Sequence, residues 1–219
     1  SLCCPTGPLA RQTSSLSASA VETGTYGVLT YEPDGEGGVI ITGCDKNATT
    51  VEVPATISGL PVTYIGFRAF GECTKLTAVT LPEGVTEIGE QAFVGCYNLA
   101  EINLPESVRC INTHAFWQCE ALTTVRLPAG ITDIGGGAFR DCIRLNGISI
   151  PDSVTTLGGS AFAGCRALMS ASLPAKLGFL PTSTFDGCAS LTSVTIPERV
   201  TRVNTRAFFG CAALKSISL

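Results

Sequence analysis

Eleven cysteines and a single histidine have the widest chemical reach in this chain of 219 residues. Seven of the cysteines stand 23 residues apart, at Cys73, Cys96, Cys119, Cys142, Cys165, Cys188 and Cys211. A uniform step lines thiols up, whereas a metal site needs ligands that converge, and no C-x-x-C pair occurs. Cysteine also serves as a small buried hydrophobe, and the seven read as an inward structural ladder. Disulfides between neighbouring rungs require Cα atoms within ~4.4–6.8 Å, and seven equivalent positions cannot all pair among themselves. Cys3, Cys4, Cys44 and Cys110 fall outside the ladder. Cys110 precedes His114 by four residues, and a thiol beside an imidazole could make a nucleophile and its base. The equivalent positions in other units hold Glu87, Asp133 and Thr156 for one, and Gln91, Gly137 and Ser160 for the other. Such variability suits exposed positions, and no orienting acid or oxyanion hole accompanies the pair. No catalytic residue, cofactor or metal ligand is assigned, and the chain is expected not to be an enzyme. Gly35–Gly38 and Gly135–Gly137 match no phosphate-binding loop and read as turns. Asn47-Ala48-Thr49 matches a glycosylation sequon, a motif common by chance. The acidic residues are scattered without paired-carboxylate or calcium-loop spacing.

The cysteine step belongs to a wider repeat. Phenylalanine keeps it from Phe70 through Phe116 to Phe208, leucine from Leu76 to Leu214, and proline from Pro82 to Pro197. The unit is A-F-x-x-C-x-x-L-x-x-V-x-L-P-x-x-V-x-x-I, with conservative exchanges among Val, Leu and Ile. In Leu76–Pro82 the last apolar residues alternate with polar ones, which predicts a half-buried strand that ends at a proline without an N–H to donate. Val85–Gly89 predicts a second short extended segment, bent at its glycine. The apolar spacing of A-F-x-x-C predicts a helical or 3₁₀ turn on the opposite side. One coil alone exposes two flat apolar sides, so stability must come from stacking coil on coil.

On these residues the stretch from about 54 to 219 resembles the BspA-like, treponemal-type leucine-rich repeat. The resemblance implies an α/β solenoid of short strands plus helical or 3₁₀ turns, in seven 23-residue units. One unit departs from the pattern: around Leu173–Phe185, Ala171, Leu177 and Thr184 replace the usual residues, and Phe179 and Pro181 are unusual. That coil is either distorted or a partner site. Residues 21–53 differ. Tyr26–Tyr31 and Val39–Thr42 are strand-like around Glu32–Gly38, whose Asp-Gly and paired glycines favour a hairpin, and the segment reads as an N-terminal β cap. Residues 1–20 lack periodicity and read as a flexible leader. The last unit stops at Leu219 without a polar cap, so the repeat is expected to continue or to be covered by another molecule.

Two surfaces are candidates for binding. On the strand side the outward residues include Thr80, Glu101, Asn103, Thr124, Arg126, Ser149, Ser172 and Thr195, which stacking would assemble into a shallow polar sheet. Serine and threonine also simply suit an exposed strand. On the turn side Val94, Tyr97, Trp117 and Ile143 occupy variable positions on neighbouring coils and form either an interface or a local corner packing. Net charge is −4 and no basic stripe occurs, which argues against nucleic acid. No apolar run approaches the ~18–20 residues of a spanning helix, which argues against membrane insertion. The resemblance implies a bacterial protein, extracellular or on the cell surface, that adheres to host or matrix proteins or to a glycan. A structural protein that associates end to end, and the targeting part of a longer enzyme, are the alternatives.

Overall fold

The computed structural model describes residues 21–218. The leader assigned to residues 1–20, with Cys3 and Cys4, lies outside them. The described chain is a solenoid of about eight turns built from short strands, one on the back of each coil and one on the front of each except the coil around Thr124–Arg126.

The N-terminal strands are β1 (Gly24–Tyr26), β2 (Leu29–Pro33) and β3 (Val39–Cys44). They pair antiparallel in sequence order. The β2–β3 connection is set by Asp34, whose carboxylate accepts the N–H groups of Glu36 and Gly38 and the Thr63 hydroxyl. The outer edge of β3 then pairs parallel with β6 (Leu60–Ile65), and the sheet becomes the back ladder of the solenoid. That ladder continues through Glu87–Ile88, Cys110–Ile111 and Asp133–Ile134 to Thr156–Leu157, each strand in register with the last. The front ladder starts at β4 (Thr50–Glu52) and runs through Ala78–Thr80 to Glu101–Asn103. It resumes at Gly147–Ser149 and runs through Ser170–Ser172 and Ser193–Thr195 to Ser216–Ser218.

The repeat's period predicts seven units, and β4 adds a turn before them. Its residues continue the strand column in parallel register with Ala78–Thr80. The period hides this turn for two reasons. Pro54 and Val62 are eight positions apart where Pro82 and Val85 are three apart. The difference is a tight hairpin between β5 (Thr56–Ile57) and β6, turned at Ser58 and Gly59 with φ of 51° and 81°. The turn also lacks an A-F segment, since Ile41 pairs with Ile65 and the chain passes directly to Cys44.

The helical or 3₁₀ turn expected of A-F-x-x-C does not form: no helix occurs among the described residues. The corner is a series of separate tight turns. Ala69 N–H donates to Gly66 O, Gly71 to Arg68 O and Cys73 to Phe70 O, at 2.8–3.2 Å. The alternate N–H groups leave the coil altogether. Arg68, Phe70 and Glu72 donate to Glu90, Ala92 and Val94 of the next coil. Two residues per coil also take positive φ. One set repeats at Arg68, Gln91, His114, Gly137, Ser160, Ser183 and Arg206, and the other at Glu72, Gly95, Gln118, Asp141, Gly164, Gly187 and Gly210. A left-handed residue every few positions reverses the winding that a helix needs. The hydrogen bonds a helix would keep within itself therefore hold one coil to the next.

The core is a column. The rings from Phe70 to Phe208 stack near-parallel, with centroids 4.8 Å apart at the first pair and widening step by step to 5.8 Å at the last. Leucine and isoleucine columns flank it, fully buried at Leu76, Leu99, Leu122, Ile88, Ile111 and Ile134. The cysteine column is the fourth. Each thiol from Cys96 to Cys211 donates to the phenylalanine carbonyl of the preceding coil, as Cys142 does to Phe116 O at 3.2 Å. The described ladder cysteines are free thiols, and burial raises the pKa of those from Cys96 to Cys211, to about 12 at Cys96.

The irregular coil around Leu173–Phe185 is a break in the back ladder. In the other coils a residue after the ladder strand donates its N–H to the coil before: Gly89 to Ile65 O, Asn112 to Ile88 O, Gly158 to Ile134 O, Asn204 to Leu180 O. Pro181 holds that place here and has no N–H. The strand pairing stops at Thr156–Leu157 and restarts as a separate pair, Phe179–Leu180 with Arg202–Val203. Phe179 is left exposed, with the Arg202 guanidinium 5.4 Å over its ring.

Candidate functional site

The strand-side residues lie where stacked coils can share a surface, and all eight are exposed: Thr80, Glu101, Asn103, Thr124, Arg126, Ser149, Ser172 and Thr195. They do not form one sheet. Thr80 and Asn103 are register partners in the first part of the front ladder. Ser149, Ser172 and Thr195 stand in register on three successive strands of the second part, with the Ser149 and Ser172 hydroxyls 3.1 Å apart. Thr124 and Arg126 lie between the two parts, on backbone that is not ladder-paired. There Arg126 reaches across one coil to Glu106, Nη1 to Oε1 2.6 Å. The Glu106 carboxyl sits below its usual range because it accepts the Ala129 N–H and faces the Arg126 guanidinium. The front face is thus neutral and hydroxyl-bearing after Gly147, and ionic between Glu101 and Arg126.

The turn-side residues differ in exposure. Val94 is buried, only 8% exposed, because its side chain packs on the corner of the preceding coil beside Gly71. Tyr97 is exposed, at 41%. Trp117 and Ile143 are half-buried. The Trp117 indole N–H donates to Asp141 Oδ2 at 3.1 Å, and its ring lies 5.0 Å from that of His114. The corner is locally packed, with Tyr97 as its exposed member.

The Cys110–His114 pair is not a nucleophile and base. Cys110 is buried on the back ladder, contrary to the exposure its variable position suggested, and it is disulfide-bonded. His114 sits on the first left-handed position of its corner, and its imidazole lies over Gly137. Burial, with Arg140 nearby, pushes the imidazole pKa below its usual value. No group of three or more metal-ligating side chains occurs among the described residues.

The sequence reading misplaced two buried residues, taking the variable position of Glu87 as exposed and setting Cys44 outside the ladder. Glu87 is buried on the back ladder and accepts the Asn112 amide. Burial raises its carboxyl above the usual range, the amide opposes this, and Asp133 adds to it. Cys44 is the first rung of the cysteine column, beside Cys73 and Lys46. The signal for Cys44 was present in C-x₅-T-V-x-V-P (Cys44–Pro54), one residue longer than C-x₄-A-V-x-L-P (Cys73–Pro82).

The family model for the BspA type leucine rich repeat region matches residues 44–169 and 111–219, in six copies. The chain is 35% identical to a T. pallidum leucine-rich-repeat protein over 89% of this chain and 92% of that one, with a TM-score of 0.83. It is 34% identical to a leucine-rich-repeat protein from Bacteroides ovatus, with a TM-score of 0.82, over 87% of this chain and 51% of that one. It therefore spans about half the length of the B. ovatus protein. The pneumococcal vaccine antigen PcpA, at 16% identity and a TM-score of 0.55, shares the fold. A comparison with curated protein sequences finds no match. No helix among the described residues is long and apolar enough to cross a membrane. With the repeat matched from Cys44 to the last residue, the chain belongs to the BspA-type leucine-rich-repeat family.

Proposed function

We propose that this chain is a non-catalytic binding module, extracellular or on a bacterial cell surface, that adheres to a host or matrix protein through the front face of its solenoid. The observation that carries the reading is the set of exposed polar side chains on successive coils, in ladder register at Thr80 and Asn103 and again at Ser149, Ser172 and Thr195, with Arg126 between the two parts. Apart from Arg126, their backbone is held by ladder pairing, so a partner meets them with little ordering cost. Glu101 and Arg126 supply the charge that would set orientation on that face. The similar T. pallidum and B. ovatus proteins are leucine-rich-repeat proteins, which agrees with a repeat scaffold of this kind.

The test is a binding screen against extracellular-matrix proteins and glycans, with the Glu101→Ala/Arg126→Ala variant alongside. Saturable binding by the parent, weakened at least ~10-fold in a variant of unchanged thermal stability, supports adhesion through the front face. Binding that survives in the variant moves the site elsewhere on the solenoid. An absence of binding, with apparent mass rising with concentration, puts end-to-end self-association in its place.

A further inference from the structure

The chain has one Asn-Gly pair, Asn146-Gly147, and it falls where the front ladder resumes. Glycine has no side chain to crowd its own N–H, so the pair sets an amide carbon beside an unhindered backbone nitrogen. Asn146 is exposed, and its side-chain amide makes no hydrogen bond among the described residues. The strand Gly147–Ser149 pairs on one side only, with Ser170–Ser172, because the preceding coil is not ladder-paired at Thr124 and Arg126. The Gly147 N–H has no backbone bond to that coil. The two Asp-Gly pairs of the chain, Asp34-Gly35 and Asp186-Gly187, are occupied by contrast. The Asp34 carboxylate accepts the Glu36 and Gly38 N–H groups and the Thr63 hydroxyl. The Asp186 carboxylate accepts Arg206 Nε–H at 2.8 Å, and the Gly187 N–H is held by Phe209 O at 2.7 Å.

We infer that Asn146 is a self-modification site, where the chain converts its own asparagine to an aspartyl or isoaspartyl residue. The Gly147 nitrogen gives its proton to hydroxide and attacks Asn146 Cγ. The new N–C bond forms as the Cγ–Nδ2 bond breaks, and ammonia leaves with a proton taken from water. Water then opens the cyclic imide at either carbonyl, to a normal aspartyl link or to an isoaspartyl one. Ring closure turns the Asn146–Gly147 peptide, and few backbone bonds resist it: Asn146 N–H to Thr123 O at 3.1 Å and Met169 N–H to Asn146 O at 2.9 Å. Exposed backbone with few pairings opens at low cost, so the fold leaves the step accessible. The product changes the front face. An aspartyl residue puts a negative charge at the start of its neutral, hydroxyl-bearing stretch. An isoaspartyl residue adds a main-chain carbon just where register with Ser170 begins. The inference is independent of the partner proposed above.

The experiment incubates the full chain at mildly alkaline pH, well below its melting temperature, beside a synthetic peptide spanning residues 143–150. Both are followed by peptide mapping with mass spectrometry and isoaspartate detection. Asn146 should be substantially converted by the time the peptide is fully converted, with Asn47, Asn98, Asn103, Asn112 and Asn204 intact. Gly147→Ala should slow the conversion many-fold. The added methyl has room, its nearest neighbour being Ser170 Oγ at 3.7 Å, so the variant should melt like the parent. Asn146 left intact in the folded chain when the peptide is fully converted overturns the inference. Conversion at an equal rate in Gly147→Ala overturns it as well.

Discussion

Each phenylalanine of the column is held by its two neighbours, and Phe116 is fully buried between Phe93 and Phe139 at 5.1 and 5.2 Å. Phe116→Ala removes a ring that no other side chain can replace, because both flanking positions already hold rings. The expected loss is ~3–5 kcal/mol, read from urea unfolding, and near-unchanged stability would show that the stack does not carry the core. Glu87 makes the opposite case, a residue that costs the fold something at neutral pH. Its folded carboxyl lies above the ordinary value of 4.5, so the folded state favours the protonated acid. The resulting stability is complete below the unfolded pKa and is lost as pH rises through the folded pKa. Glu87→Gln keeps an acceptor for Asn112 and removes the buried charge. Thermal melts should show the variant more stable than the parent at neutral pH, and the two should converge well below 4.5.

The seam at Pro181 has a single-atom origin, the missing N–H that Gly158 and Asn204 supply in their own coils. Pro181→Asn copies the residue found at Asn112 and Asn204 and should restore the bond to Leu157 O. The new amide at position 181 should then exchange slowly, at a rate comparable to those of Asn112 and Asn204. Overall stability should change by less than about 1 kcal/mol. A regained hydrogen bond is worth ~0.5–1.5 kcal/mol, and losing the stiffness of proline offsets most of it. Fast exchange at that amide would mean the seam has another cause. This seam was legible in the sequence, where Phe179 and Pro181 stood out against six regular units. The columns were legible for a related reason: inward Phe, Cys, Leu and Ile each answer to their own coil, so periodicity reads them directly. The corner turns were not legible, because A-F-x-x-C has the same apolar spacing whether its N–H groups bond within the coil or across to the next. Glu72, Gln118 and Asp141 adopt a left-handed backbone where other units use glycine, so residue type alone conceals the shared conformation. Val94 and Cys110 misled for a different reason. Variability marks positions where neighbouring coils offer different partners, and such positions can be buried.

Across the whole molecule, each coil touches only the coils before and after it, and stability is a sum over adjacent interfaces. The eight candidate residues on the front face inherit their spacing from that stack. The sequence yielded which residues face outward, but the interruption of the front ladder at Thr124 and Arg126 depends on pairing between coils that no single unit specifies. The backbone bonds that cross between coils, at both ladders and at every corner, lie along the solenoid axis. A pull on the two ends therefore loads one interface at a time, as a zipper is loaded at its slider. A tethered module of this kind should lengthen under tension in discrete steps. Each step should release about 80 Å of chain, the contour of 23 extended residues. The Pro181 seam, with the fewest crossing bonds on its back edge, should give way before the regular coils. Optical-trap extension at low loading rate reads those steps directly, and a single cooperative rupture would contradict the one-at-a-time account. A repeat protein held at both ends would then act as a shock absorber as well as a surface for contact.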